Sequence, residues 1–392
     1  MEHFEAWAET NFEENLAVLI DYLRVPTLAG QGVGVPEGAE ATAALLAAAG
    51  VEPRLIDVPG APPVVYGEIG EGPRTLMVYD HYDVQPAEPL DLWTSAPYEP
   101  TIRDGRLYAR GAADNRGELA ARVRALAGYR ATMGEPPLKI KFVFEGEEEI
   151  GSPHLGEFVA ANRDMLEADG CLWEGGGWDD DGNPEMTLGL KGIAYFDLRV
   201  RSADADLHSS LAAIVPDAAW RLVWALASLK DADERITIEG FMARVVEPGP
   251  EDLALLERLP LNEAKIRETT GIARFVNGLT GLALKRKLYF EPTCTICGLT
   301  SGYGGPGAKT VLPAEASAKV DFRLVPDLDP PTVERLLRDH LDRHGFADIE
   351  TRLISGVAPA RSPVNADIVR AAIATARAIW GMEPAVSPNS PG

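Results

Sequence analysis

Three consecutive glutamates, Glu147, Glu148 and Glu149, follow an apolar segment within the sequence KFVFEGEEEIGS. Residues 141–145 have the pattern of a strand that enters a core. Adjacent carboxylates repel one another, so a cluster at the end of such a strand lowers stability unless something compensates its charge. A bound metal ion, or proton transfer by one carboxylate, would be such a compensation. The ordinary alternative is a solvated surface turn.

A histidine and three other acids also follow predicted strands. His81 and Asp83 come directly after the strand TLMVYD, and Glu174 comes directly after GCLW. Asp114 ends the segment LYARGAAD, just before a predicted helix. Each residue alone has an ordinary alternative, since such a histidine is often structural and Asp114 could cap the helix. Their shared position at strand ends is what indicates a site.

The elements that would position these residues alternate along the first half of the chain. The sequence predicts helices at AEATAALLAAAG and RGELAARVRALAGYRATMG, and strands at PRLIDV, PVVYGEI, TLMVYD, LKIKFVFE and GCLWE. Such alternation is typical of an α/β fold with a largely parallel central sheet. Ligands of such sheets bind beyond the carboxyl ends of the strands, so we expect His81 and the acids to share one edge.

The mixture of donor atoms limits the kind of metal. One histidine with several carboxylates favours zinc, manganese or cobalt over calcium, which takes only oxygen ligands. More than three acidic ligands favour two ions about 3.5–4 Å apart that share one carboxylate. Of two adjacent glutamates, one could then bind an ion while the other accepts a proton from the attacking water.

The pattern changes after residue 188. The sequence then predicts, in order, the strand IAYFDLRVRS, the helix PDAAWRLVWALASL, the strand AEASAKVDFRLVP, the helix PPTVERLLRDHLDRHG and the strand DIETRLIS. We therefore expect one domain formed by residues 1–188 and 357–392, and an α+β domain inserted at residues 189–356. His340 and His344 lie four apart on a predicted helix, and their charged surroundings favour an exposed helix face over a metal site.

Composition and charge disfavour several classes of function. The chain has 392 residues and a formal net charge of −23 at pH 7, so nucleic acid and anionic membrane are not expected as partners. No apolar run reaches the length of a membrane span. The N-terminal segment MEHFEAWAETNFEENLAVLIDYLRVP is acidic and lacks a signal-peptide pattern. A cytoplasmic protein is therefore expected.

Seven segments of the chain together resemble those of a known family. They are, in order, DHYDVQP, LYARGAADNRGE, EGEEEIGS, WEGG, DLHSS, GAKTVLP and DFRLVP. The resemblance is to the M20 family of dinuclear zinc peptidases, and within it to the branch of carnosinases and cytosolic nonspecific dipeptidases, and it covers nearly the whole chain. It implies a zinc-peptidase catalytic domain and an inserted lid domain through which two copies form a homodimer.

The resemblance implies a role for each candidate in the first domain. Asp114 would bridge two zinc ions, Glu148 would be the general base, and Asp83 would orient the histidine ligand. Glu147 would be an incidental neighbour, and Asp169 is an alternative to the glutamate of WEGG. The metal ligands implied are His81, Asp114, Glu149 and Glu174.

The resemblance also implies two features of the backbone and of the ligand set. The peptide bond between Asp114 and Asn115 should be cis. The second zinc of the family needs a histidine far downstream, yet the last histidine is His344, inside the predicted inserted domain. We therefore expect the second zinc site to be incomplete within these 392 residues.

Three residues of the inserted domain match positions of the family. His208 in DLHSS would reach the active site of the other subunit and donate to the oxyanion; relatives usually have Gly where Ser210 stands. Thr310 and Arg323 would bind the carboxylate of the substrate, a task that suits the planar guanidinium. The alternatives are that His208 packs within its own domain and that Arg323 faces solvent.

The sequence therefore predicts a zinc metallopeptidase that hydrolyses the amide bond of a dipeptide or small peptide. Two Zn²⁺ per subunit are expected, with Mn²⁺ or Co²⁺ as substitutes. One alternative is an N-acyl-amino-acid deacylase with the same catalytic groups. Another is a binding or scaffold relative with impaired catalysis, because the downstream histidine is absent from the chain.

Overall fold

The computed structural model describes residues 2–179 and 182–390. The chain forms two compact units, Met1–Gly175 and Gly176–Gly392. This division differs from the predicted one, in which residues 357–392 return to the first domain, and that arrangement stays a prediction. Among the described residues, no helix is both long enough and apolar enough to cross a membrane.

The first unit contains helices on both sides of a sheet. Its helices are α1 (Glu2–Thr10), α2 (Phe12–Leu23), α3 (Val35–Ala48), α4 (Arg116–Met133), α5 (Leu155–Ala161) and α6 (Arg163–Leu166). Its strands are β1 (Arg54–Ile56), β2 (Val64–Ile69), β3 (Thr75–His81), β4 (Thr101–Arg103), β5 (Arg106–Tyr108), β6 (Lys139–Glu145) and β7 (Gly170–Leu172).

Five of these strands form one sheet in the order β1-β2-β6-β3-β7. Strand β3 runs parallel to both of its neighbours, β6 and β7. Strand β2 is antiparallel to β6, and β1 is antiparallel to β2. The predicted α/β class is confirmed, and its parallel part comprises the three strands that the candidate residues follow.

Side chains along β6 alternate between two cores. Phe142 and Phe144 pack in one core with Leu119 of α4, whereas Val143 packs in another with Phe158 of α5. Because both faces of the sheet are covered, the middle of β6 is a continuous apolar run over residues 142–144, and its lysines and Glu145 lie towards its two ends.

The second unit contains more and shorter elements. Its strands are β8 (Gly177–Trp178), β9 (Pro184–Thr187), β10 (Gly189–Leu190), β11 (Gly192–Arg201), β12 (Leu207–His208), β13 (Thr295–Ser301), β14 (Val311–Leu312), β15 (Glu315–Leu324), β16 (Glu350–Val357), β17 (Ala360–Arg361) and β18 (Ala385–Ser387). Its helices are α7 (Ala218–Leu229), α8 (Pro250–Arg258), α9 (Glu263–Thr270), α10 (Gly281–Phe290), α11 (Pro330–Arg343) and α12 (Asp367–Trp380).

The main sheet of this unit is antiparallel, in the order β13-β15-β11-β16. Helices α7 and α11 cover one face, where Leu222 and Leu337 share a core with Phe196 and Phe322. The strands and helices predicted for the inserted domain are therefore present as β11, α7, β15, α11 and β16. Helices α8, α9 and α10 lie in a region for which the sequence patterns predicted no element.

The expectation that His340 and His344 lie on an exposed helix face was wrong for His340, which belongs to α11. This side chain is buried, and its Nε2 lies 3.0 Å from the Oγ of Ser228. Its ring stacks on His344 with 4.1 Å between the ring centroids. His340 lies on the face of α11 that Leu336 and Leu337 bury, while the charged residues that suggested exposure occupy the other faces.

Candidate metal centre

The candidate residues of the first unit emerge at one edge of its sheet. His81 is the last residue of β3, and its backbone is paired with Glu145, the last residue of the parallel strand β6. On the other side of β3, the parallel strand β7 ends two residues before Glu174. Asp114 lies in the loop that precedes α4. The common direction of the three strands thus brings their C-terminal ends to the same edge.

Carboxylate oxygens surround the Nε2 atom of His81. The nearest are Oδ1 of Asp114 and Oε2 of Glu174, each 3.1 Å away, and Oε2 of Glu148 lies at 3.8 Å. Two sets of possible ligand atoms result, each with its atoms within 4.8 Å of one another. The first set is His81, Glu148 and Glu174, and the second is His81, Asp114 and Glu149.

Asp83 fixes the orientation of the imidazole from the opposite side. The Nδ1 atom of His81 lies 3.0 Å from the carbonyl oxygen of Asp83 and 3.3 Å from its carboxylate. The same carboxylate accepts hydrogen bonds from the backbone N–H groups of Glu148, at 3.2 Å, and Glu149, at 3.1 Å. With a proton on Nδ1, the lone pair of Nε2 points towards the other carboxylates. Asp83 therefore connects the imidazole to the loop of glutamates.

Burial, together with the crowded negative charge, raises the pKa of the carboxyl groups in this cluster. Burial raises the pKa of Glu174 to about 8, and the nearby carboxylate of Glu148 adds to the rise while His81 opposes it. Burial also raises the pKa of Glu148 and of Glu149. Burial disfavours the charged imidazole, but its bond to Asp83 and the charge of Glu174 raise the pKa of His81 to about 10. A divalent cation would relieve this repulsion.

One buried oxygen supports a cation at this cluster. Oε2 of Glu174 is inaccessible to solvent and accepts no hydrogen bond from the described residues, although it lies 3.1 Å from the imidazole. A buried carboxylate oxygen without a partner costs free energy, which coordination to a metal would recover. The donor set of one imidazole with carboxylates suits Zn²⁺, Mn²⁺ or Co²⁺.

Comparison with known proteins agrees with this geometry. The model of Peptidase family M20/M25/M40 matches residues 77–392, which is most of the chain and includes all of these side chains. The chain belongs to this family. It is therefore a metallopeptidase of the M20 type, as the motifs implied.

Individual relatives resemble this M20 peptidase over most of its length. The Beta-Ala-His dipeptidase of Rattus norvegicus is 31% identical over 333 residues, which are 82% of this chain and 68% of the rat protein. The M20 family metallo-carboxypeptidase Sso-CP2 from Sulfolobus solfataricus has 37% identity and a TM-score of 0.84, covering 97% of this chain and 86% of its own. Human carnosine dipeptidase 1 has 27% identity and a TM-score of 0.71, covering 100% of this chain and 87% of its own.

The structure bears on two further expectations, the cis peptide bond after Asp114 and the choice between Asp169 and Glu174. The peptide bond between Asp114 and Asn115 is cis, as predicted. The alternative acid Asp169 lies at the wrong end of the sheet, since it accepts a hydrogen bond at 2.7 Å from the N–H of Thr75, where β3 begins. Glu174, at the other end of the same strands, is the acid that approaches His81.

The description of Glu147 as an incidental neighbour requires correction. Its side chain is buried, and its carboxylate contacts the backbone N–H and the Nδ1 of His154, both at 2.9 Å. Sequence reasoning gave His154 no role. The sequence did contain a signal for this contact. A glutamate that lies between a buried strand and two candidate site residues needs a hydrogen-bonding partner of its own.

The candidates of the second unit form one pair and one separate residue. Nε2 of His208 lies 3.1 Å from Oγ1 of Thr310, and Nδ1 of His208 accepts a hydrogen bond from the N–H of Ser210. The proton of the imidazole is therefore on Nε2, which can act as a donor. Arg323 lies on β15 with its Nε 4.0 Å from a carboxylate oxygen of Asp321, and its guanidinium remains partly exposed.

Proposed function

We propose that this chain hydrolyses the amide bond of dipeptides or short peptides with water activated by two metal ions, most suitably Zn²⁺. The observation that carries the proposal is the convergence of carboxylates on Nε2 of His81, with a buried oxygen of Glu174 that has no hydrogen-bond partner among the described residues. The relatives named as dipeptidases support the choice of substrate. When bound, the ions would supply Lewis-acid activation of the water and of the substrate carbonyl.

Within this proposal the side chains of the first unit have different catalytic and metal-binding roles. Glu148 acts as the general base, because its carboxylate can accept a proton from the activated water. Asp83 holds the imidazole in place. The proposed ligands are His81, Asp114, Glu149 and Glu174.

The second unit would complete the site in a homodimer. His208 from a second copy would donate its Nε2 proton to the developing oxyanion, and Arg323 with Thr310 would bind the substrate carboxylate. Exposed aromatic residues support a contact between copies, since Trp220 and Trp224 of α7 stack on each other and are 57% and 56% exposed. In this arrangement residues 189–356 form the lid and dimerisation domain.

Metal analysis and a substrate screen test the proposal together. We expect the purified chain to bind Zn²⁺ after chelator treatment, the variant His81→Ala to lose that binding, and the metal-loaded protein to cleave dipeptides with a free carboxyl terminus. Cleavage of N-acyl amino acids but not dipeptides would assign the chain to the deacylases instead. If wild-type protein binds no metal, the proposed site is wrong and a scaffold role is favoured.

A further inference from the structure

Two residues of α4, Glu118 and Arg122, contact both peptide groups that flank Glu174. The Nη2 of Arg122 donates to the carbonyl oxygen of Trp173 at 2.9 Å, and Oε2 of Glu118 accepts from the N–H of Gly175 at 2.9 Å. Glu118 and Arg122 lie one helical turn apart and bind each other at 3.3 Å. The backbone before and after Glu174 is thus held by a single ion pair.

The same pair also contacts residues next to two other proposed ligands. The Nη1 of Arg122 donates to the buried carboxylate of Asp80 at 2.7 Å, and Asp80 directly precedes His81. The Nδ2 of Asn115, which directly follows Asp114, lies 3.5 Å from Oε2 of Glu118. One helical turn of α4 therefore touches the chain beside His81 and beside the two proposed ligands that lie 3.1 Å from its Nε2.

The segment that carries Glu174 needs such support more than the other strand ends do. Strand β7 has only three residues and lies at the edge of the sheet, with β3 as its one neighbour. Two glycines follow Glu174, and Gly175 and Gly176 both have positive φ angles, of 86° and 133°. Glycine has no Cβ, so the backbone at these two positions can adopt many conformations. The contacts to α4 limit those conformations.

We propose that Glu118 and Arg122 are positioning residues for the metal centre, which set the distance of the Glu174 carboxylate from His81 and Asp114. This inference rests on the proposed function, because it takes Glu174 as a metal ligand. The hydrogen bonds to Trp173 and Gly175 hold the backbone on both sides of the ligand. Residues that orient metal ligands in this way typically change metal affinity by about 10–100-fold when replaced.

The test measures the affinity of the chelator-treated protein for Zn²⁺ and the visible absorption of its Co²⁺ form. Glu118→Leu and Arg122→Met should each weaken Zn²⁺ binding by about 10–100-fold and alter the Co²⁺ spectrum. Glu118→Gln should retain most of the affinity, because its amide oxygen still accepts from Gly175. The matched control is Arg124→Met, since Arg124 lies on the same helix with 15% of its side chain exposed, against 16% for Arg122.

The measured affinities distinguish a failure of the proposed metal site from a failure of the positioning role. If Glu174→Gln binds Zn²⁺ like wild type, the proposed site is wrong. If Glu174→Gln loses affinity but Glu118→Leu and Arg122→Met keep it, only the positioning role is overturned. Equal loss of affinity in Arg124→Met would also overturn it, since general destabilisation would explain the effect. Should Arg122→Met fail to fold because Asp80 is left buried without a partner, Glu118→Leu decides alone, since it keeps the contact between Arg122 and Asp80.

Discussion

The carboxylate of Glu147 accepts hydrogen bonds from His154 at two places, the backbone N–H and the Nδ1 atom of the ring, both at 2.9 Å. This contact joins the two ends of the loop that carries Glu148 and Glu149. A second contact reinforces it, since the hydroxyl of Ser152 donates to the buried carboxylate of Glu145 at 2.8 Å. The loop of glutamates is thus anchored by the acids on either side of Gly146.

Replacing His154 should destabilise this loop. In His154→Ala the buried carboxylate of Glu147 keeps the backbone N–H but loses the ring, which we expect to cost about 1–3 kcal/mol of unfolding free energy. Urea denaturation measures the change. The double variant Glu147→Met, His154→Ala removes the buried charge as well and should recover part of the stability. A His154→Ala protein as stable as wild type would show that the contact contributes nothing.

Glu148→Gln should bind metal normally and lose turnover. Glutamine preserves the shape of the side chain but cannot accept a proton, and general-base catalysis typically contributes about 10²–10⁴-fold to the rate. The measurements are kcat on a dipeptide and the metal content by elemental analysis. A variant with wild-type kcat would remove Glu148 from the mechanism, and one that loses metal would make it a ligand instead.

Asp83→Ala should weaken metal binding although Asp83 is not a proposed ligand. The variant loses the carboxylate beside Nδ1 of His81 and the acceptor for the N–H groups of Glu148 and Glu149. We expect an affinity for Zn²⁺ lower by about 10–100-fold. Asp169→Ala is a suitable control, because Asp169 pairs with the beginning of β3 at the opposite end of the sheet. Equal affinities in both variants would contradict the role of Asp83.

Mixing two inactive variants should restore activity if the active site is shared between subunits. Glu148→Gln lacks the base, and His208→Ala lacks a donor whose loss typically costs about 10²–10³-fold in rate. A mixed dimer contains one site with both Glu148 and His208 intact. Activity should therefore return after subunit exchange, which mass spectrometry can verify. Verified exchange without recovered activity would falsify the shared site.

The buried His340 should make stability depend on pH in mild acid. Burial, with the charge of His344 adding to the effect, lowers the pKa of His340 below its ordinary value of 6.5. The unfolded chain therefore binds a proton below about pH 6.5 while the folded chain does not, so the unfolding free energy falls as the pH drops through this range. The fall should be shallower in His340→Gln than in wild type. His3→Gln, a change at an exposed position, should leave it unaltered.

The sequence by itself determined the α/β class, the strand ends and the identity of the residues that could do chemistry. Alternating apolar segments predicted β3, β6 and β7 because periodicity reports the local conformation and burial of a segment. Polar residues directly after those segments had to emerge where the strands end. For this reason His81, Glu148 and Glu174 were identifiable before any distance was known.

Only the tertiary structure decided which residues support His81, Glu148 and Glu174. The partnership of Glu147 with His154, the position of Asp169 at the far end of the sheet and the contacts of Arg122 with Asp80 and Trp173 all depend on which segments become neighbours. The sheet order β1-β2-β6-β3-β7 sets those neighbours, and it follows from the packing of the whole unit rather than from any local pattern. His340 illustrates the same limit, because its charged surroundings in the sequence lie on helix faces other than the one that packs into the core.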